Sequence, residues 1–156
     1  MGSLSREIEK YLKALLENAK NGVIEVQRSA LSDFFECVPS QINYVLSTRF
    51  TPAHGYIVET RRGGGGYVRI IRLNFANSDK LKLLFEEIIG TEISQNQAEG
   101  LLEYLKKEGI LTRKETLLIK NIISDKVLST SLIKNQDALR SRILQSVLAT
   151  ILREDI

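Results

Sequence analysis

Residues 39–72 read PSQINYVLSTRFTPAHGYIVETRRGGGGYVRIIR. Pro39 suits the first turn of a helix, where its missing N–H has no partner to lose. Ile42, Val45 and Leu46 follow at i, i+3 and i+4 and give that helix an inward apolar face. Its outward residues are Ser40, Gln41, Asn43, Tyr44, Ser47, Thr48 and Arg49: amides, hydroxyls and one guanidinium, with no carboxylate. A solvated helix face ordinarily carries Glu and Lys pairs. This one suits base edges, because carboxylates repel phosphates while amides and arginine pair with adenine and guanine. After a connector at residues 50–55, two β arms follow, YIVETR (56–61) and YVRIIR (67–72), joined through four glycines. Val68 and Ile70 share one face of the second arm and Arg69 points to the other. Each arm of about six residues spans roughly 20 Å, enough to carry its tip into a neighbouring groove.

Upstream, residues 28–36 (RSALSDFFE) place Ala30, Leu31, Phe34 and Phe35 at helical spacing, with Cys37 and Val38 as the turn into the next helix. Residues 5–19 predict a helix with Ile8, Tyr11, Leu12, Leu15 and Leu16 in one stripe, stopped by Asn21 and Gly22. Residues 23–26 (VIEV) predict a short strand that pairs with the hairpin. Together these elements form a winged helix-turn-helix over residues 1–74. A polar break at residues 74–78 precedes a helical C-terminal domain, 78–156. There the apolar stripes are Leu81, Leu84, Phe85, Ile88 and Ile89; Ala98, Leu101, Leu102 and Leu105; Leu118, Ile119, Ile122 and Ile123; and Leu139, Ile143, Leu144, Val147, Leu148 and Ile151. Gly90 and Gly109 are read as helix stops, and Ser94…Gln97 and Thr112…Glu115 as capping boxes. The expected fold is mainly α with a small β-hairpin, the second domain being four helices. So few short helices make a marginal core, so this domain is expected to gain burial by pairing into a homodimer.

The 22 Lys and Arg exceed the 19 Asp and Glu by three, and the whole excess lies in the N-terminal half. Between Arg61 and Arg72 stand four arginines (Arg61, Arg62, Arg69, Arg72) and no acid. A local basic ribbon on a near-neutral chain fits a phosphate-facing surface. No apolar run approaches the roughly 18 residues that span a bilayer, and the first residues, MGSLSREIEKYL, lack a signal-peptide core. The single Cys37 excludes an internal disulfide framework. A cytoplasmic location with no membrane partner is expected.

The glycine run has three readings. A phosphate-binding P-loop needs a Lys-Ser/Thr pair and a following helix, and here a strand follows. A flexible linker is not usually bracketed by matched β arms. A wing tip accounts for both: glycines let the backbone approach the minor-groove walls while arginines enter where its potential is most negative. The candidate DNA-facing set is therefore Ser40, Gln41, Asn43, Tyr44, Thr48 and Arg49 on the helix. The wing adds Arg61, Arg62, Gly63, Gly64, Gly65, Gly66 and Arg69. Arg28 and Ser29 are candidates for phosphate contacts. One His and one Cys (His54, Cys37) give no zinc cluster, and Glu86-Glu87 reads as a solvated face. No cofactor, metal or catalytic residue is expected. A winged helix that binds RNA or protein, or an enzyme built on Cys37 and His54, are the alternatives these residues leave open.

The run CVPSQINYVLSTRFTPAHGYIVETRRGGGGYVRIIR (37–72) closely resembles CtsR, the class III stress-gene repressor family of low-GC Gram-positive bacteria. The likeness extends over the whole chain, returning at residues 101–120 (LLEYLKKEGILTRKETLLIK) and 139–152 (LRSRILQSVLATIL). The resemblance implies a heat-labile homodimeric repressor of Clp chaperone and protease genes that binds tandem heptanucleotide repeats in double-stranded operator DNA. It also implies regulation by a protein-arginine kinase with its adaptor, and degradation by Clp ATPase/protease. Arg62 matches the family's key wing arginine and is the expected site of regulatory phosphorylation.

Overall fold

The computed structural model describes residues 2–61, 66–75 and 78–156. The chain divides into two units, Met1–Leu83 with Ala149–Ile156, and Leu84–Leu148.

The first unit runs α1 (Gly2–Glu17), β1 (Val23–Gln27), α2 (Arg28–Phe35), α3 (Pro39–Arg49), a 3-10 turn (Pro52–His54), β2 (Tyr56–Thr60) and β3 (Tyr67–Arg72). The strands form one antiparallel sheet in the order β1-β3-β2, so the expected short strand does pair with the hairpin, Val26 opposite Val68. Ile8, Leu12 and Leu16 of α1, Leu31 of α2, Ile42, Val45 and Leu46 of α3, Phe50, and Val68 and Ile70 of β3 form one buried cluster. Pro39 stands at the first turn of α3 as the sequence predicts. Two expectations shift. Helix α1 ends at Glu17, and Gly22, with φ +69°, instead turns the chain into β1. Phe34 is two-thirds exposed, because α2 buries Leu31 and Ser32 and leaves Phe34 stacked at 5.3 Å on Tyr11.

The C-terminal residues 149–156 belong to this first unit, not to the helical one in which sequence periodicity leaves them. They run beside the end of β3: Leu73 bridges Arg153, Asn74 N–H donates to Leu152 O (2.7 Å), and Glu154 N–H donates to Arg72 O (2.9 Å). Arg72 grips Glu154 with two nitrogens, Nε to Oε2 at 2.6 Å and Nη2 to Oε1 at 2.9 Å. Gly22 lies under this tail, where a Cβ would approach the Glu154 side chain to 3.0 Å. A backbone in the left-handed region with the tail against it suits glycine.

Helix α4 (Ser78–Lys82) widens into a π-helical turn over Leu83–Ile89, with Gly90 N–H donating to Phe85 O. The wider winding turns Ile88 outward, 45% exposed, and so breaks the expected stripe. Then follow α5 (Gln95–Lys107), α6 (Arg113–Ile122), a short α7 (Asp125–Leu128) and α8 (Gln136–Ile151). Both expected capping boxes form, on Ser94/Gln97 and on Thr112/Glu115. Helix α6 buries Thr116 and Ile119 with Ile123 at its end, leaving Leu118 and Ile122 exposed against expectation. Thr116 tolerates the inward position because its hydroxyl donates to Thr112 O at 2.8 Å.

Sequence periodicity misses the fully buried Arg140 inside α8. Its guanidinium donates to Ile123 O (2.7 Å), Ile93 O (2.9 Å) and Asp137 Oδ1 (2.6 Å), and pairs with Asp125. A buried charge this well satisfied is tolerated, and removing its partners costs about 3–5 kcal/mol.

The Arg72 guanidinium holds the Glu154 carboxyl below its ordinary range. A depressed folded-state pKa contributes stability above the unfolded value, about 4.3 for glutamate, and that contribution is lost as pH falls through the folded value. Glu154→Gln is expected to lose about 1 kcal/mol at neutral pH, the scale of a partly exposed pair. By urea unfolding followed with circular dichroism, the gap to the native chain should narrow as pH falls below the unfolded value and close once pH has passed below the depressed folded value, where both side chains are neutral.

Candidate nucleic-acid interface

Helix α3 leaves Ser40, Asn43, Tyr44 and Ser47 exposed to solvent. Their spacing of i, i+3, i+4 and i+7 makes one continuous polar stripe. Ser47 and Thr48 turn their hydroxyls back to Tyr44 O, at 3.2 and 2.6 Å. The other two expected readers are drawn towards α1. Gln41 Nε2 donates to the buried Ser5 Oγ at 2.8 Å, and Arg49 Nε lies 3.3 Å from Glu9, which also holds Lys13. The helical period that assigned the inward face also identifies Ser47 at the far end of the exposed stripe.

The hairpin closes where Arg61 N–H donates to Tyr67 O at 3.1 Å. Gly66 follows the tip with φ +84°. The expected tip residues Arg62, Gly63, Gly64 and Gly65 lie outside the described residues. At the root of the hairpin, the Arg28 N–H donates to Gly66 O at 3.0 Å. The Arg28 side chain donates from Nε to Asn43 Oδ1 at 2.7 Å and from Nη2 to Thr60 Oγ1 at 3.3 Å. One residue at the start of α2 thus ties the exposed stripe of α3 to both arms of the hairpin. Ser29 is exposed beside it, on a helix whose N-cap, Gln27, makes no side-chain cap.

The basic ribbon divides between two roles. Arg61 Nη1 is paired with Glu25 Oε1 at 2.8 Å, both side chains exposed. Arg69, expected to face DNA, stands in a row across the sheet between Glu25 and Glu59. It lies 4.0 Å from Glu59 and 3.7 Å from Asp155 of the tail. Arg153 completes the lattice on Glu59 (3.0 Å) and Asp155 (2.9 Å) and holds the Asp155 carboxyl below its usual range. Arg72 is committed to Glu154. Alternation along β3 decides this: Val68 and Ile70 take the core face, so Arg69 takes the other.

His54 Nδ1 meets Thr51 Oγ1 at 2.7 Å in the exposed 3-10 turn, and Cys37 packs at the margin of the core. Among the described residues no three His, Cys, Asp or Glu side chains gather as metal ligands. Among them, too, no helix is long and apolar enough to cross a membrane.

Residues 3–74 match the family described as "CtsR N-terminal HTH domain" and residues 77–149 the one described as "CtsR C-terminal dimerization domain". The curated relative "Transcriptional regulator CtsR" of Geobacillus stearothermophilus is 38% identical over 151 residues, 97% of this chain and 98% of its own length. The protein of the same name from Staphylococcus aureus (strain USA300) is 37% identical with the same coverage. A solved structure, "Crystal structure of CtsR in complex with a 26bp DNA duplex", is 39% identical, covers 95% of this chain and 97% of its own, and superposes with a TM-score of 0.48.

A Cβ at Gly66 would meet no atom nearer than Arg28 Cβ at 3.9 Å, so space is not limiting there, but the left-handed backbone is. Gly66→Ala is therefore expected to cost about 1–2 kcal/mol. The loss should appear as a lower thermal midpoint and as faster hydrogen exchange of the Arg28 amide that Gly66 O accepts from.

Proposed function

The chain belongs to the CtsR family of transcriptional regulators, and from that premise we propose that it represses stress genes by gripping operator DNA through both grooves at once. It is a DNA-binding regulator with a helix-turn-helix domain, and not an enzyme. The observation that carries the two-groove reading is the Arg28 bridge, which fastens the polar stripe of α3 to the root of the hairpin.

In this reading α3 enters the major groove and offers Ser40, Asn43 and Tyr44 to the bases, with Gln41, Thr48 and Arg49 at its flanks. The wing lies in the adjoining minor groove, contributing Arg61, Arg62 and the amides of residues 63–66. Ser29 and the first turn of α2, which has no side-chain cap, stand where a backbone phosphate passes, while the Arg28 side chain is turned to Asn43 and Thr60. Arg69 enters only as part of the general positive field, since the tail acids are its neighbours.

The second unit pairs two copies. The description of the matched C-terminal family supports this, as do the exposed Leu117, Leu118 and Ile122 on α6, with Tyr104 of α5 and Val127 of α7. Residues 1–74 then bind DNA and residues 78–148 dimerise, with the tail bracing the DNA-binding unit. The operator is a tandem heptanucleotide repeat upstream of Clp genes, read by a cytoplasmic homodimer. A protein-arginine kinase with its adaptor, and Clp ATPase/protease, act on it. Likeness to the family supports these details. Phosphorylation at Arg62 would replace attraction to DNA phosphate by repulsion. Heat release draws on the glycine tip, whose ordering costs about 1–2 kcal/mol per residue and grows only slowly with temperature, so local melting of the hairpin adds to it.

Gel-shift titration on a duplex with two tandem heptanucleotide copies, against a scrambled duplex, tests the reading at two temperatures and several salt concentrations. Sequence-selective binding is expected, and equal affinity for both duplexes overturns the reading. Arg62→Ala should lose about 1–3 kcal/mol and reduce the salt slope by about one, whereas unchanged affinity removes Arg62 from the site. Gly64→Ala should alter binding more at the higher temperature. Parallel loss at both temperatures speaks against the tip as heat sensor.

A further inference from the structure

Resting on the DNA-binding reading, we infer that Arg28 is a positioning residue that sets the amide orientation of Asn43. By doing so it makes the base pair beneath Asn43 one that offers acceptors, guanine or thymine, rather than adenine. One hydrogen bond fixes that orientation. An arginine Nε–H only donates. The Asn43 atom 2.7 Å from it must therefore be the carbonyl Oδ1, and the Nδ2 amino group points the other way. The bond is charge-assisted and belongs to the stronger class of such contacts.

Asparagine ordinarily recognises adenine by using both ends of its amide, Oδ1 accepting from N6 and Nδ2 donating to N7. Here the accepting end is engaged by a guanidinium. One lone pair of Oδ1 is taken by that cation, and its positive charge opposes a second donor on the same oxygen, so the paired contact with adenine is penalised. The donating end is left for the DNA. Guanine, with O6 and N7 side by side, and thymine, with O4, meet two donor hydrogens; cytosine, with its N4 amino group, does not.

The orientation is not a local accident of α3. Arg28 is itself held by the hairpin, through its main-chain N–H on Gly66 O and through Nη2 on Thr60 Oγ1. Base preference under the helix therefore depends on an arginine whose place is fixed by the wing root. The geometry separates this role from a simple phosphate contact, which would strengthen binding to every sequence alike.

The test uses the full chain and the best duplex recovered by selection from a randomised library, with each base pair then substituted in turn. The native chain should show one position at which guanine or thymine is preferred to adenine and cytosine by about ten-fold. In Arg28→Ala the amide is free to turn, so discrimination against adenine should fall below about three-fold there, with the other positions unchanged. In Asn43→Asp, which keeps the Arg28 partner and lies on an exposed turn, both outer atoms accept. Preference at the same position should invert towards cytosine and adenine whatever the change in overall affinity. That second variant decides the matter if Arg28→Ala does not fold, which circular dichroism reports. A uniform loss in Arg28→Ala, with a salt slope smaller by about one and the base profile intact, makes Arg28 a phosphate contact and overturns the proposal. So does an Asn43→Asp profile identical to the native one. If no duplex is selected at all, the DNA-binding reading falls first and takes this proposal with it.

Discussion

A single apolar cluster lies beneath both the helix and the hairpin that present the candidate DNA-facing residues. Ile42, Val45 and Leu46 of α3 and Val68 and Ile70 of β3 are buried in it together, with α1 closing the far side through Ile8, Leu12 and Leu16. Each such side chain contributes about 1.5–3 kcal/mol when withdrawn from water, so neither element can slide on the other without a large loss. The polar stripe of α3 and the arms of the hairpin are then fixed as the two outward surfaces of one body. Arg28 adds a direction to that rigidity by joining them at the surface, on Asn43 and Thr60. Both elements gain their geometry from burial and their chemistry from what burial leaves outside.

The same economy distributes the arginines. A ribbon of four in twelve residues looks uniform, yet alternation along β3 sends Arg69 away from the core face towards Asp155, while Arg72, on the other face at the end of the strand, is taken up by Glu154 of the same C-terminal tail. Glu154 and Asp155, the most C-terminal acids of the chain, thus stabilise the DNA-binding unit rather than the helical one. Arg61 is held at the end of its strand by Glu25, a solvent-exposed pair that a phosphate can displace at small cost. Of the described arginines in the ribbon, Arg61 is therefore the one best placed to exchange a carboxylate for DNA.

Much of this was legible in the sequence because it depends on local rules. Pro39, the spacing of Ile42, Val45 and Leu46, the short Val23–Gln27 strand and both capping boxes are set by neighbours a few residues away. What was not legible depends on contacts distant in the chain. Nothing near Arg69 or Arg72 announces Glu154 and Asp155, some eighty residues later. Arg140 interrupts an apolar stripe that periodicity would complete, because its partners lie on the segments before α5 and after α6. Leu118 and Ile122 read as core by spacing, while Thr116, with a hydroxyl satisfied inside its own helix, takes the inward place. The orientation of the Asn43 amide follows from Arg28, fifteen residues earlier, and no pattern in either segment encodes it.

Helix and wing engaging one duplex through different grooves would leave a distinct pattern of chemical protection on the DNA. Dimethyl sulfate attacks guanine N7 in the major groove and adenine N3 in the minor groove, so one experiment reads both. A protected patch of guanine N7 atoms is expected, flanked on the same face by protected adenine N3 atoms about half a helical turn away, roughly five base pairs. Replacing Arg61 and Arg62 together by alanine should remove the adenine protection and spare the guanines. Protection confined to one groove, or loss of both signals in equal measure, would contradict it.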